Sequence, residues 1–160
     1  MHEEITFQSD GLTLSGIFHA PDNLADGEKL PAFVIMHGFG GNLHGRAQRW
    51  SSSTLPEWGY ACLRFDFRGC GDSEGPGGVV VPVEEIADCK AAIDYLVAQP
   101  EVDPDRIALL GTSYGAVVAV CTAADDARAK AVIDQGGWGN PERFSGNYTL
   151  RRKPGRRFRI

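Results

Sequence analysis

The sequence predicts an α/β fold, a mostly parallel sheet with helices between its strands and an antiparallel hairpin at its N-terminal end. Three observations predict it. Short, nearly unbroken apolar runs recur along the chain, as strands buried on both faces of a sheet require. Stretches with apolar residues every three or four positions separate those runs, the spacing of a helix with one buried face. The first twenty residues instead alternate about a turn signal, the mark of a hairpin.

The hairpin is read over residues 5–8 and 12–19, flanking Ser9-Asp10-Gly11. Residues 31–36 (PAFVIM) form the first core strand and end at His37-Gly38. Residues 60–65 (YACLRF) form the second and end at Asp66, residues 107–110 (IALL) the third, and residues 131–133 (AVI) a short fourth ending just before Asp134. Helical patterns occupy residues 46–58, 83–99 and 114–124. In the middle one Val83, Ile86, Ala87, Ile93, Leu96 and Val97 give the apolar stripe, Pro82 suits the first turn, and Pro100 closes the helix. Strands alternating with helices mean βαβ units with right-handed crossovers. No repeat or linker divides the chain, and 160 residues with 42% hydrophobic content suit one domain.

A net charge of −5 gives no electrostatic ground for nucleic acid or an anionic membrane as partner. Cys62, Cys70, Cys89 and Cys121 show neither CxxC pairing nor a histidine at metal spacing, so buried reduced thiols are expected and no metal. The N-terminus lacks the basic and apolar stretches of a secretion signal, and no run reaches membrane-spanning length; a cytoplasmic location is the default expectation. Residues 141–160 stand apart. Residues 143–160 hold seven of the sixteen Lys and Arg residues and no Asp or Glu. Three readings stay open for this basic tail: a solvated or disordered segment, a nucleic-acid arm, or sequence foreign to the fold through truncation or a shifted frame.

The chemistry concentrates at two glycine-rich turns. Gly111-Thr112-Ser113-Tyr114-Gly115 matches G-x-S-x-G directly after the strand IALL and directly before a helical stretch. A serine on so sharp a bend needs a strained backbone, and glycines two residues to either side remove side chains that would collide there. The bend also puts Ser113 at a helix N-terminus, where partial positive charge favours a developing anion. His37-Gly38-Phe39-Gly40-Gly41 follows the strand PAFVIM and can bring backbone N–H donors, those of Phe39 or Gly40 and of Tyr114, to such an anion. His37 itself is expected to brace that loop by hydrogen bonds rather than to move protons. His2, His19 and His44 are expected to be exposed or loop residues without a catalytic role. Residues 66–75 form a tight turn at the rim of the same sheet edge, with salt bridging expected among Asp66, Arg68 and Asp72.

HGFGG, DFRGCGDSEG and GTSYGA, in this order and at these separations, resemble the α/β-hydrolase superfamily in its dipeptidyl-peptidase, acyl-peptidase and esterase-like branch. The resemblance covers residues 1–140, the N-terminal part of such a fold. It implies Ser113 as nucleophile, the N–H groups of Phe39 and Tyr114 as oxyanion hole, Gly38 and Gly40 against the substrate, and no cofactor. The substrate it implies is a small ester or a short peptide. In the family the acid and the histidine follow the serine in that order. Here all four histidines precede Ser113 and only 47 residues follow it. Asp134 is the candidate acid, with a plain strand-end role as its alternative. The expectation is therefore a hydrolase fold truncated after about the sixth strand, nearly inactive alone, with an open sheet edge suited to self-association. The alternative is a non-catalytic fragment that binds a ligand or a partner.

Overall fold

The computed structural model describes residues 1–137. Its elements are β1 (His2–Ser9), β2 (Leu12–His19), β3 (Leu30–Met36), α1 (Arg46–Glu57), β4 (Ala61–Phe65), α2 (Pro82–Val97), β5 (Val102–Thr112), α3 (Tyr114–Asp125) and β6 (Ala129–Gln135). Between β1 and β2, Asp10 (φ 49°) and Gly11 (φ 80°) both take the left-handed region. That pair of angles gives a two-residue turn whose twist matches its flanking strands.

The six strands form one sheet in the order β1-β2-β4-β3-β5-β6. β1 with β2 and β2 with β4 are antiparallel, whereas β4, β3, β5 and β6 run parallel to one another. Each parallel step crosses over through a helix, as parallel pairing demands. Met36 at the end of β3 lies opposite Gly111 on β5, and Thr112 lies opposite Gln135 on β6. This register brings the loops after β3, β5 and β6 level at one edge of the sheet, where sites in open α/β sheets form.

Alternate residues of the central strands face opposite layers. Val34, Met36, Leu63, Phe65, Ile107 and Leu109 pack beneath α2 and α3 in the main core, against residues such as Ile93, Leu96 and Val118. Ile35, Cys62 and Leu110 meet Leu55 of α1 in a smaller cluster on the other face. Each fully buried aliphatic side chain contributes about 1.5–3 kcal/mol to such a core. Among the described residues β6 is a sheet edge, and its Ile133 is 42% exposed.

Several expectations need correction. β5 begins at Val102, because Leu30 pairs with Val102 ahead of a register shift. β6 extends to Gln135, so Asp134 lies within the strand, opposite Gly111, and not past its end. α2 buries Glu85, Asp88, Cys89, Ala92, Ile93 and Leu96, while Val83 is 38% exposed. Its inner face is thus rotated from the apolar stripe and includes two carboxylates. Arg68 does not bridge Asp66 or Asp72; its guanidinium meets Asp88 of α2 at 2.5 Å and Asp10 at 3.1 Å. His19 is buried, because β2 lies between β1 and β4, and its Nε2 accepts from Arg64 Nε at 3.3 Å. The four cysteines are free thiols, but only Cys62 and Cys89 are buried, while Cys70 and Cys121 are half-buried. The basic tail, residues 141–160, lies outside the described residues. No helix among the described residues is long and apolar enough to cross a membrane.

Candidate active site

Ser113 joins the end of β5 to the start of α3 with φ 54° and ψ −116°. Only Asp10 and Ser113 among the described non-glycine residues take a positive φ. Asp10 sits in a hairpin turn that favours it; Ser113 does not, so its strain of about 1–3 kcal/mol is held by its surroundings. Those surroundings are tight. A Cβ on Gly111 would lie 2.2 Å from the Gly115 carbonyl oxygen, and one on Gly115 would lie 2.4 Å from that of His37. Any side chain at either position would push β5, α3 and the end of β3 apart. Ser113 occupies the helix N-cap, yet its hydroxyl makes no capping hydrogen bond. The hydroxyl is therefore not spent on the helix, which is unusual for a serine in this position.

The loop after β3 closes on this bend. A Cβ on Gly38 would lie 3.2 Å from Ser113 Cβ and 3.7 Å from Ser113 Oγ. Gly40 takes φ 65°, and the Gly41 N–H donates to the Gly38 carbonyl at 3.0 Å, so the loop turns back at once. Phe39, 55% exposed, sets its ring edge-on to the Tyr114 ring with centroids 6.4 Å apart. Gly38, Phe39, Gly40, Ser113 and Tyr114, singled out from the sequence, thus come together in one place.

His37 is 2% exposed and packs edge-on against Phe67. Its Nδ1 lies 2.8 Å from the Gly38 carbonyl, to which it donates, so Nε2 is the acceptor, and takes the Phe67 N–H at 3.3 Å. Both ring nitrogens are engaged with backbone, and burial holds the imidazole below its usual pKa. A neutral ring fixed this way ties the loop to the end of β4. Further ties converge on the bend. Gln48 of α1 donates to the Met36 carbonyl at 3.3 Å, Thr112 Oγ1 donates to Gln135 at 3.1 Å, and the Ser113 N–H donates to the Gln135 carbonyl at 3.0 Å.

Asp134 is less engaged. It is exposed on β6, and its Oδ1 accepts the Gly137 N–H at 2.6 Å. No hydrogen bond joins a histidine to Asp134 or to the Ser113 hydroxyl among the described residues. At the rim, Asp66 accepts the Leu43 N–H at 2.5 Å and the Asp72 N–H at 3.1 Å, which fixes the loop after β4 beneath the loop after β3. One participant was not singled out from the sequence. Glu85 of α2, 2% exposed, accepts a hydrogen bond from the Tyr114 hydroxyl. Burial pushes its carboxyl up from 4.5 to about 7, against the opposing pull of the Tyr114 bond.

The chain is similar to several known proteins. The quorum-quenching protein AidA of Acinetobacter baumannii is 35% identical over 133 residues, which span 82% of this chain and 42% of AidA. The thiohydrolase aneE of Aspergillus aculeatus is 34% identical over 134 residues, 82% of this chain and 40% of its own. The α/β-hydrolase GrgF of Penicillium sp. sh18 superposes with a TM-score of 0.79 at 28% identity, covering 91% of this chain and 50% of GrgF. The chain thus spans half or less of each of these proteins. Residues 10–150 match the X-Pro dipeptidyl-peptidase (S15) family, and the chain belongs to that family of α/β-hydrolases.

Proposed function

We propose that the chain carries the nucleophile and oxyanion half of a serine hydrolase acting on ester or peptide-type amide bonds through an acyl-enzyme. The strained Ser113 bend, closed over by Gly38, is the observation that carries the reading. Ser113 Oγ attacks the carbonyl carbon of the substrate, and its proton passes to a base. The former carbonyl oxygen, now negative, is received by the N–H groups of Phe39 and Tyr114 at the α3 N-terminus. Collapse expels the alcohol or amine with a proton, and water then releases the acid and frees the serine. A small ester or short peptide fits this chemistry. Hydrolysis of an acyl-sulfur bond, suggested by the name of the aneE relative, uses the same steps.

Among the described residues no hydrogen bond joins a base to the Ser113 hydroxyl. His37 is not the base, since both its nitrogens are bonded to backbone. Asp134 is the acid this reading assigns, one strand from Ser113 at the same edge of the sheet. Without a base, on the order of 10⁶-fold in rate is lost, while an oxyanion hole with binding retains roughly 10³-fold over water. Added imidazole should therefore restore part of the lost step. In its presence a fluorophosphonate should label Ser113, faster with more imidazole, and should not label the Ser113→Ala protein. A folded wild type that stays unlabelled at every imidazole concentration would refute the reading.

A further inference from the structure

Tyr114 offers two groups to its surroundings. Its backbone N–H opens α3 beside Ser113 and is one of the proposed oxyanion donors. Its side chain lies in the main core, 5% exposed, where a phenol hydroxyl needs a partner. That partner is a carboxyl, Glu85 of α2, itself 2% exposed. The rest of that helix face is Cys89, Ala92, Ile93 and Leu96, together with Asp88, which Arg68 neutralises. Among the described residues Glu85 has no such ion pair, and an apolar residue would fill its place at lower cost.

We infer that Glu85 is a positioning residue for the reaction at Ser113: its carboxyl holds the Tyr114 hydroxyl and so fixes the first turn of α3, with the N–H that Tyr114 turns to the oxyanion. The inference rests on the serine-hydrolase reading above. The groups facing Glu85 are Tyr114 of α3, Asp88 and Glu84 of α2, and Arg68 and Cys70 of the loop after β4. Burial is the largest influence on the carboxyl and raises it to about 7, with Asp88 and Glu84 adding to the rise and Tyr114 and Arg68 opposing it. Below that value the neutral carboxyl accepts the Tyr114 O–H as an amide would. Above it, a negative charge stands at the far end of the Tyr114 side chain from the oxyanion donor and opposes a second negative charge there.

The test uses the full chain with a fluorophosphonate and a fixed concentration of imidazole, comparing wild type, Glu85→Gln and Glu85→Ala at pH 6 and pH 8. Ratios to wild type at each pH cancel the titration of imidazole itself. Glu85→Gln should match wild type at pH 6 and be labelled about threefold faster at pH 8, where wild type carries the buried charge. Glu85→Ala should be labelled about tenfold slower at pH 6, since the Tyr114 hydroxyl loses its partner. The backbone amide resonance of Tyr114 should move with a midpoint near 7 in wild type and stay still in Glu85→Gln. If Glu85→Ala does not fold, the Glu85→Gln ratio and the amide resonance decide. A Glu85→Ala protein that folds and is labelled as fast as wild type at pH 6, or a Glu85→Gln ratio equal at both pH values together with a Tyr114 amide indifferent to pH, overturns the inference and leaves the hydrolase reading standing. A wild type that is not labelled at all overturns both.

Discussion

The ends of β5 and β6 lie side by side at one edge of the sheet and are built in opposite ways. At the end of β5 every position is constrained: Ser113 holds an unfavourable backbone, Gly111 and Gly115 admit no side chain, and Gly38 presses from the neighbouring loop. At the end of β6, Asp134 is exposed, and Gly136 turns with φ 76° and nothing within 4 Å of where a Cβ would stand. The chain thus builds the part that would attack and stabilise an acyl group to close tolerance. The turn after β6 is open at Asp134 and Gly136 and tightens only at Gly137, where a Cβ would lie 2.8 Å from Ala116 Cβ and from the Asp134 carboxylate oxygens.

The sharpest way to break that contrast is to add one methyl group at each end. Gly115→Ala should cost more than about 3 kcal/mol in urea unfolding, because its Cβ would meet the His37 and Met36 carbonyl oxygens at 2.4 and 2.9 Å. Gly136→Ala should cost only about 1 kcal/mol, the penalty of a positive φ in open space. Equal costs would show that the β5 bend is no tighter than the β6 turn.

The pH dependence of stability sharpens the same contrast from beneath the bend. The folded Glu85 carboxyl is held near 7, whereas the unfolded one titrates near its ordinary 4.5. Between those values the folded protein keeps a proton that the unfolded chain has released. Stability therefore falls as pH rises from 4.5 to 7, by about 2–3 kcal/mol, and this loss is complete above 7. Glu85→Gln should remove that fall, and urea melts at pH 5 and pH 8 would measure it. A fall that persists in the variant would assign it to other groups.

Smaller effects follow at the two named side chains. Ser113→Gly should raise stability by about 1 kcal/mol, since glycine takes φ 54° without strain, while abolishing fluorophosphonate labelling. Asp134→Asn should change stability by less than about 0.5 kcal/mol, as expected of an exposed side chain, and change imidazole-assisted labelling less than twofold. A large loss of labelling in Asp134→Asn would mean that the end of β6 already contributes to the chemistry.

What could be read from the sequence follows the same division. The apolar runs of β3 and β4 and the Asp10-Gly11 turn were legible because local pattern alone determines them. The Ser113 bend was legible because its glycines stand at fixed offsets from the serine. The inner face of α2 was not, since apolar periodicity cannot see a buried Glu85 or Asp88. Their burial depends on Tyr114 and Arg68, partners distant in sequence. The same blindness assigned Arg68 to its sequence neighbours Asp66 and Asp72, when the fold delivers Asp88 and Asp10. Nothing in the segment around His19 reveals that β2 lies between two strands, so its burial is invisible in the sequence. The place of Asp134 within β6 is likewise not legible, because pairing with β5, and not the three apolar residues before it, sets the length of the strand.

In the proposed reaction Ser113 projects its hydroxyl toward the N–H donors of Phe39 and Tyr114. A crystal structure of the chain with a phosphonate bound covalently to Ser113 tests it most directly. The phosphoryl oxygen should lie about 3 Å from both backbone nitrogens. A phosphonate on Ser113 whose oxygen points to solvent, with the loop of Gly38 and Phe39 turned away, would contradict it.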